Sequence, residues 1–398
     1  MRTAGFALCA ALRSIPGTLP PRQIPFQGSA EVFFCPPALP PPLKTVCGSA
    51  PASSGTASGS TAASGSGGSA EPSGKLVIYS PNSDTQVASS LTNGFMVKYP
   101  NIEVELQSMG TGDVLARIEA EKENPQADIN WGAINYNFYH QHPDLWEPYV
   151  SPNEENLDEN YRNNTDGNVS YSNLSGSGCF ILNNTLLEEL GVEVNGYADL
   201  LQPELKGKIA MGDPTASSSA FAELTNMLLV MGEGDTPAEC YQSDAAWDYI
   251  DKFIDNLDGI VLSSSSQVYK GVIDGEYAVG VSYEDPVVQA IIDNAENPDA
   301  DLSLVYPEEG AVWLPAGVAI VKNAPNMENA KLFVDYLLSE ECQTALAETT
   351  IRGTITSIPQ TNEAMKPFDE INVVYEDQQA VAEQQTSMLE RWTDLLTG

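Results

Sequence analysis

With 398 residues, 42% of them hydrophobic, the chain has apolar surface for one large core or two moderate ones. Its 55 acidic residues outnumber 18 basic ones, for a net charge of −37, which argues against nucleic acid as a partner because phosphates need clustered Lys and Arg. Charge acts locally, so an acidic body can still hold an anion on backbone N–H groups.

The first 74 residues differ in kind from the rest, carrying Arg2, Arg13, Arg22 and Lys44 against only Glu31 and Glu71. From Gly48 to Gly74 the chain is Gly, Ser, Ala, Thr and Pro with the single exception of Glu71, a composition that buries nothing and reads as a tether. Cys47, followed by Gly-Ser-Ala and this tether, resembles the lipidated N-terminus of a bacterial lipoprotein. The segment before it departs from that pattern. Lys44-Thr45-Val46 stands where an apolar and two small residues belong, and Pro-rich runs such as 36–43 replace an apolar signal core. The expectation is an altered leader over 1–46, a Cys47-anchored tether over 47–74, and a location on the outer face of the cytoplasmic membrane or in the periplasm. No apolar run reaches the ~18 residues of a membrane span.

The body opens with a buried strand at 75–79, a helix over 85–99 and an alternating strand at 102–106. A second helix over 112–122 places Val114, Leu115 and Ile118 on one face, and a short strand follows at 127–131. This strand–helix–strand series implies parallel pairing with helices on the sheet faces, and a ligand site at the carboxyl ends of the strands. Polar loops leading into helices stand there: 79–84 with Ser80 and Asn82, 108–113 with Thr111, and 211–221 with Ser217, Ser218 and Ser219. Helix starts offer unpaired N–H donors, which hydroxyls supplement, so these junctions suit an anion; the plainer reading is that Ser, Thr and Asp there cap the helices.

Enzyme signatures are missing. There is no G-x-S-x-G, no Walker lysine, no C-x-x-C and no H-E-x-x-H, and Gly110-Thr-Gly112 lacks the third glycine of a dinucleotide loop. His140 and His142 form an H-x-H in a Pro-bounded loop, a pattern met more often on plain surfaces than at metals. Neither catalytic residues, a resident metal nor a cofactor is expected. Cys179, Cys240 and Cys342, an odd number in the body, cannot all pair.

Near the C-terminus, 311–321 is a β-rich apolar run, and 329–343 carries Ala330, Phe333, Val334, Leu337 and Leu338 on one helical face with Asn326 placed to cap it. The wording of 311–343 resembles the solute-binding proteins of ABC importers, in the subfamily of ferric-ion, aminoethylphosphonate and hexose-phosphate binders. The resemblance runs from about Lys75 to the C-terminus. It implies an α/β, two-lobed periplasmic-binding-protein fold of type II, with mixed sheets, helices on both faces and a ligand cleft between the lobes. One lobe is expected at 75–175 plus 312–355, the other at 176–311 plus 356–398, with crossings near 175–178, 313–315 and 352–353.

The resemblance also places Ser217–Ser219 and a second loop, 263–267 with Ser265, on the cleft. The ferric binders' paired tyrosines after an Asn/Asp-Gly-Glu turn are not matched: Asp274-Gly-Glu276 leads to Tyr283-Glu284-Asp285, with no adjacent tyrosines. The expected ligand is therefore a small polar organic solute, an organic phosphate first, with Asn82, Asn135, Tyr283, Glu284 and Asp285 serving its hydroxyls or ammonium and Trp131 or Trp313 stacking on a sugar face. Ferric ion or an iron chelate, and a polyamine-type cation, stand as alternatives. Expected partners are an ABC permease and ATPase, and the bilayer through Cys47; the protein itself is expected as a monomer. A ligand-sensing module for a membrane receptor is the rival from another class.

Overall fold

Strand β1 (Gly74–Ser80) shows why the first sheet is buried on both sides. Leu76 and Ile78 point to one face, onto Leu91, Phe95, Phe333 and Leu337, while Val77 and Tyr79 point to the other, onto Val114, Leu115 and Ile118. The computed structural model describes residues 71–81, 86–163, 165–297 and 300–398, of 86–90 the backbone alone. Cys47, the leader at 1–46, the tether up to residue 70, and Asn82 lie outside the described residues.

With strands numbered in chain order, the first sheet takes β1, β2 (Ile102–Ser108), β3 (Ile129–Trp131), β4 (Trp146–Glu147), β5 (Ser170–Ser177), β11 (Ala311–Val321), β12 (Arg352–Gly353) and β13 (Val373–Val374). Their order is β12-β5-β11-β3-β1-β2, with β4 and β13 both on β11. Pairing is parallel from β1 to β2 and β3, then antiparallel where β11 lies between β3 and β5. The second sheet runs β10 (Leu302–Val305), β6 (Cys179–Asn183), β9 (Val279–Ser282), β7 (Ile209–Gly212), β8 (Val261–Leu262) and is likewise mixed. Its main core gathers Phe180, Leu224, Trp247, Phe253 and, from the C-terminal helix Gln378–Thr397, Met388 and Trp392.

The apolar stripe read at 329–343 forms the helix Met327–Leu337, burying Ala330, Phe333, Val334 and Leu337, and a second helix, Glu340–Leu346, capped by Ser339. Asn326 does not cap with its side chain. Its backbone N–H and Nδ2 instead donate to the buried carboxylate of Asp128, which also accepts from the Val77 N–H. A carboxylate serving three donors outcompetes a local cap.

The chain passes between the sheets at three places. Gly178 alone separates β5 from β6; its φ is +76°, and a Cβ there would collide with the Tyr197 hydroxyl, so glycine is required. Residues 306–310 join β10 to β11 and end in Gly310 at φ +140°. The third passage lies beyond β13, which pairs with β11 of the first sheet, whereas the following helix packs on the second core. It falls later than the turn expected near Arg352-Gly353, because β12 stays paired to β5.

At these passages Tyr161, Leu174, Cys179, Tyr306, Ala311 and Trp313 form a small core around a buried ion pair. Glu284, 2% exposed, and Arg352, 3% exposed, meet through Nη2–Oε1 at 2.6 Å and Nε to both oxygens at 2.9 Å. Trp313 Nε1 donates to Oε2 at 3.0 Å and the Tyr306 hydroxyl to Oε1 at 2.5 Å. Arg352 Nη2 also donates to the Lys366 carbonyl at 2.7 Å, and the Phe368 ring lies 4.5 Å from its guanidinium carbon. Breaking such a pair from one side strands a charge in apolar surroundings. Arg352→Met is expected to lower unfolding free energy by about 3–5 kcal/mol, read from the denaturant midpoint, and Glu284→Gln in the same chain should recover part of the loss.

Candidate functional site

The serines expected at the cleft come together. Ser217 caps the helix Ser218–Met231, its side chain accepting from the Ala220 N–H, and Ser265 opens the helix Ser265–Ile273. The Oγ atoms of Ser217, Ser219 and Ser265 stand 3.0, 3.2 and 2.5 Å from one another. Two helix N-termini and three hydroxyls thus converge from loops 46 to 48 residues apart in sequence. Each hydroxyl can rotate outward, so the cluster offers neutral donors beside two positive helix ends. Ser218 is exposed and lines the space between the two sheet bodies.

Other expected residues stand apart from this cluster or are enclosed. Ser80 is fully buried at the end of β1, while Thr111 is exposed at the start of the helix Thr111–Ala120. Asn135 caps the short helix Tyr136–Gln141, accepting from the Phe138 N–H at 2.9 Å, and lines the interbody cavity. Tyr283 precedes the helix Glu284–Asp293, with its phenol pushed up to about 12 by burial and then by the Asp285 charge. Asp285 accepts from the Thr350 hydroxyl, and burial raises its pKa above the usual carboxylate value.

Three expectations need correction. Glu284 does not face a ligand, because both of its oxygens are taken by Arg352, Tyr306 and Trp313. Trp313, 2% exposed, is held edge-on against Phe368 and leaves no face for a sugar. Trp131 is fully buried against Phe333, its indole N–H donating to Ser172 at 2.9 Å. The histidines form no pair of ligands: His140 stacks on Tyr136 at 3.9 Å, and His142 tilts against Phe138. Among the described residues no group of three or more His, Cys, Asp or Glu stands close enough to hold a metal ion.

Sequence reasoning missed two carboxyls. Glu223 lies one helical turn beyond Ser219, fully buried; among the described residues neither oxygen has a hydrogen-bond partner, and desolvation holds its pKa well above the usual carboxylate value. Glu376 sits in the third passage and lines two adjoining cavities, of about 490 and 590 Å³. Burial first, and the neighbouring Asp377 charge second, push its pKa from 4.5 to about 7. A shared wall of Tyr136, Tyr171, Pro315 and Gln378 joins the cavities, and Phe221 and Phe138 line the smaller one. The only sequence signal at Glu376 is Asp377 beside it, which reads as a helix cap and acts as one for Gln378–Thr397.

Residues 91–369, more than half of the chain, match the family described as bacterial extracellular solute-binding protein. An uncharacterized protein of Haemophilus influenzae is 29% identical over 336 residues, covering 82% of this chain and 91% of its own. A probable ABC transporter periplasmic-binding protein of Sinorhizobium fredii is 23% identical, covering 68% of this chain and 72% of its own. Among solved structures, the periplasmic binding protein AfuA of Actinobacillus pleuropneumoniae, with fructose-6-phosphate bound, superposes with a TM-score of 0.64 at 27% identity, covering 81% of this chain and 98% of that one.

The raised pKa of Glu376 has a consequence for stability. Between 4.5 and about 7 the folded protein keeps a proton that the unfolded chain has released, so this group's contribution falls as pH rises through that window. Glu376→Gln is expected to raise the melting temperature above neutral pH and to leave it unchanged below 4.5. Thermal melts across the pH range check both limbs.

Proposed function

We propose, from the premise that the chain belongs to the family of bacterial extracellular solute-binding proteins, that its solute is a small polar organic molecule carrying an oxyanion, a phosphate ester first. The protein is the solute-binding component of an ABC importer, built on the two-lobed α/β fold, and the relatives it matches are binding proteins of transporters. The observation that carries the oxyanion reading is the convergence of Ser217, Ser219 and Ser265 at two helix starts. An oxyanion replaces the mutual hydrogen bonds of the three hydroxyls with charge-assisted ones and gains from both helix ends. No lysine or arginine is needed for that grip, which agrees with a chain so poor in basic residues.

Ferric ion draws less support, since Tyr283 has no adjacent tyrosine and Glu284 is spent on Arg352. Delivery to a permease and ATPase requires the lobes to close over the solute, a hinge motion at the three passages. Cys47 as lipid anchor, with residues 48–74 as tether, would hold a monomeric body at the outer membrane face. Among the described residues no helix is long and apolar enough to cross a membrane. A sensing role on the same fold would differ only in partner, so copurification with a permease and ATPase rather than a kinase separates the two.

The site is tested by titration calorimetry with fructose-6-phosphate and other sugar phosphates. Ser219→Ala and Ser265→Ala are each expected to weaken binding by about 1.5–3 kcal/mol, the worth of a hydrogen bond to a charged group, with melting temperature retained. Unchanged affinity in both variants removes the serine cluster from the site.

A further inference from the structure

The cavities that meet at Glu376 have a chemistry opposite to that of the serine cluster. Among the described residues neither wall contributes a lysine or an arginine, and each carries five Phe, Tyr or Trp rings. Among the described residues the Glu376 carboxyl takes no hydrogen bond and no ion pair, and the influences on it are burial and the like charge of Asp377. A half-buried carboxyl facing a cavity without a cation is an unmet electrostatic demand. Tyr136 is held in place by its stack on His140, and Tyr171 rises from β5 on the same shared wall. Ring faces and a carboxylate are the two groups that attract an organic cation once it has shed water.

We propose that this chamber is a subsite for an organic ammonium group of the solute, with Glu376 as its counter-charge and Tyr136 and Tyr171 as aromatic walls. The proposal rests on the interbody cleft being the solute site, and it does not depend on the serine cluster. The smaller cavity, about 490 Å³, has room for a metabolite-sized molecule and is lined at its other side by Ser218 and Phe221, at the start of the serine helix. An oxyanion is disfavoured in the chamber itself, because Glu376 and Asp377 would repel it and no basic side chain offsets them.

Capture of an ammonium group here is coupled to a proton. Glu376 titrates at about 7, so below neutral pH the carboxyl must release its proton before it can pair. The other titratable groups around it are Tyr136 and His140 on the helix Tyr136–Gln141, Asp377 beside it, and the phenols of Tyr161, Tyr171 and Tyr375. From the second body, the Tyr241 phenol feels its charge. Of these, His140 is the imidazole on the same cavity wall and serves as the control. The two are separable by substitution.

The experiment is calorimetric titration of the full chain with n-butylammonium and, as its neutral match, n-butanol. Butylammonium is expected to bind at least tenfold more tightly than butanol, and about tenfold more tightly at ~pH 8 than at ~pH 6, releasing protons that buffers of different ionisation enthalpy reveal. Glu376→Gln should abolish both the preference for the cation and the proton release, while His140→Gln, which removes the stack under Tyr136 and so weakens affinity, keeps the proton release. Equal behaviour of the two probes overturns the proposal. So does a pH dependence that survives in Glu376→Gln and disappears in His140→Gln. The serine variants are read with sugar phosphates, so the oxyanion reading and this one fail independently.

Discussion

Where the two sheet bodies meet, the Arg352–Glu284 pair is the most demanding contact. Arg352 stands on β12 of the first sheet and Glu284 begins a helix of the second body, yet both are within 3% of complete burial. Removing two ions from water costs several kcal/mol each, and the cost is offset only when every remaining lone pair and proton is served. Here Tyr306 and Trp313, which flank the passage from β10 to β11, serve the carboxylate, while the Lys366 carbonyl serves the guanidinium. The pair therefore specifies which segments of the two bodies touch, and the small core of Tyr161, Leu174 and Cys179 closes around it.

That requirement explains why the sequence misleads at Glu284. The residue type and the position at a strand end both fit a ligand-facing carboxylate, and its partner is 68 residues away with nothing local to announce it. The tryptophans fail for the same reason: which face a ring presents depends on neighbours such as Phe333 and Phe368, brought in by other elements. What depends on local spacing was legible. The stripe at Ala330, Phe333, Val334 and Leu337 and the alternation along 76–79 needed only their own periodicity to place them against a core. Ser217 and Ser219 were singled out because a helix start creates the same unmet N–H donors wherever it occurs, whereas Ser265 was put beside them by the family resemblance alone. Glu376 was not, since its environment is built by rings from 136–171 and by the body that follows it.

The two carboxyls near the cleft show how burial without a partner sorts chemistry. Glu223 has neither solvent nor, among the described residues, a partner, which pushes it toward the neutral form below the serine helix start. Glu376 has no partner among the described residues but keeps access to a cavity, and its pKa is pushed up to about 7. Degree of enclosure, more than residue type, separates a silent group from a responsive one.

Asn226 of the serine helix accepts from the Val312 N–H at 2.8 Å and donates to the Gly310 carbonyl at 3.2 Å and to the Tyr197 hydroxyl, which in turn donates to the Gly178 carbonyl. The two glycine passages are thus fastened by an uncharged amide and a phenol, and a further tie between the bodies is an ion pair sealed from water. Dissolved ions have little purchase on any of these bonds. A chain of net charge −37 projects a long-range field that ionic strength reshapes over ~10 Å at ~0.1 M. Changing ionic strength therefore alters how fast any charged molecule approaches this protein, while the bonds that fasten its passages keep their geometry.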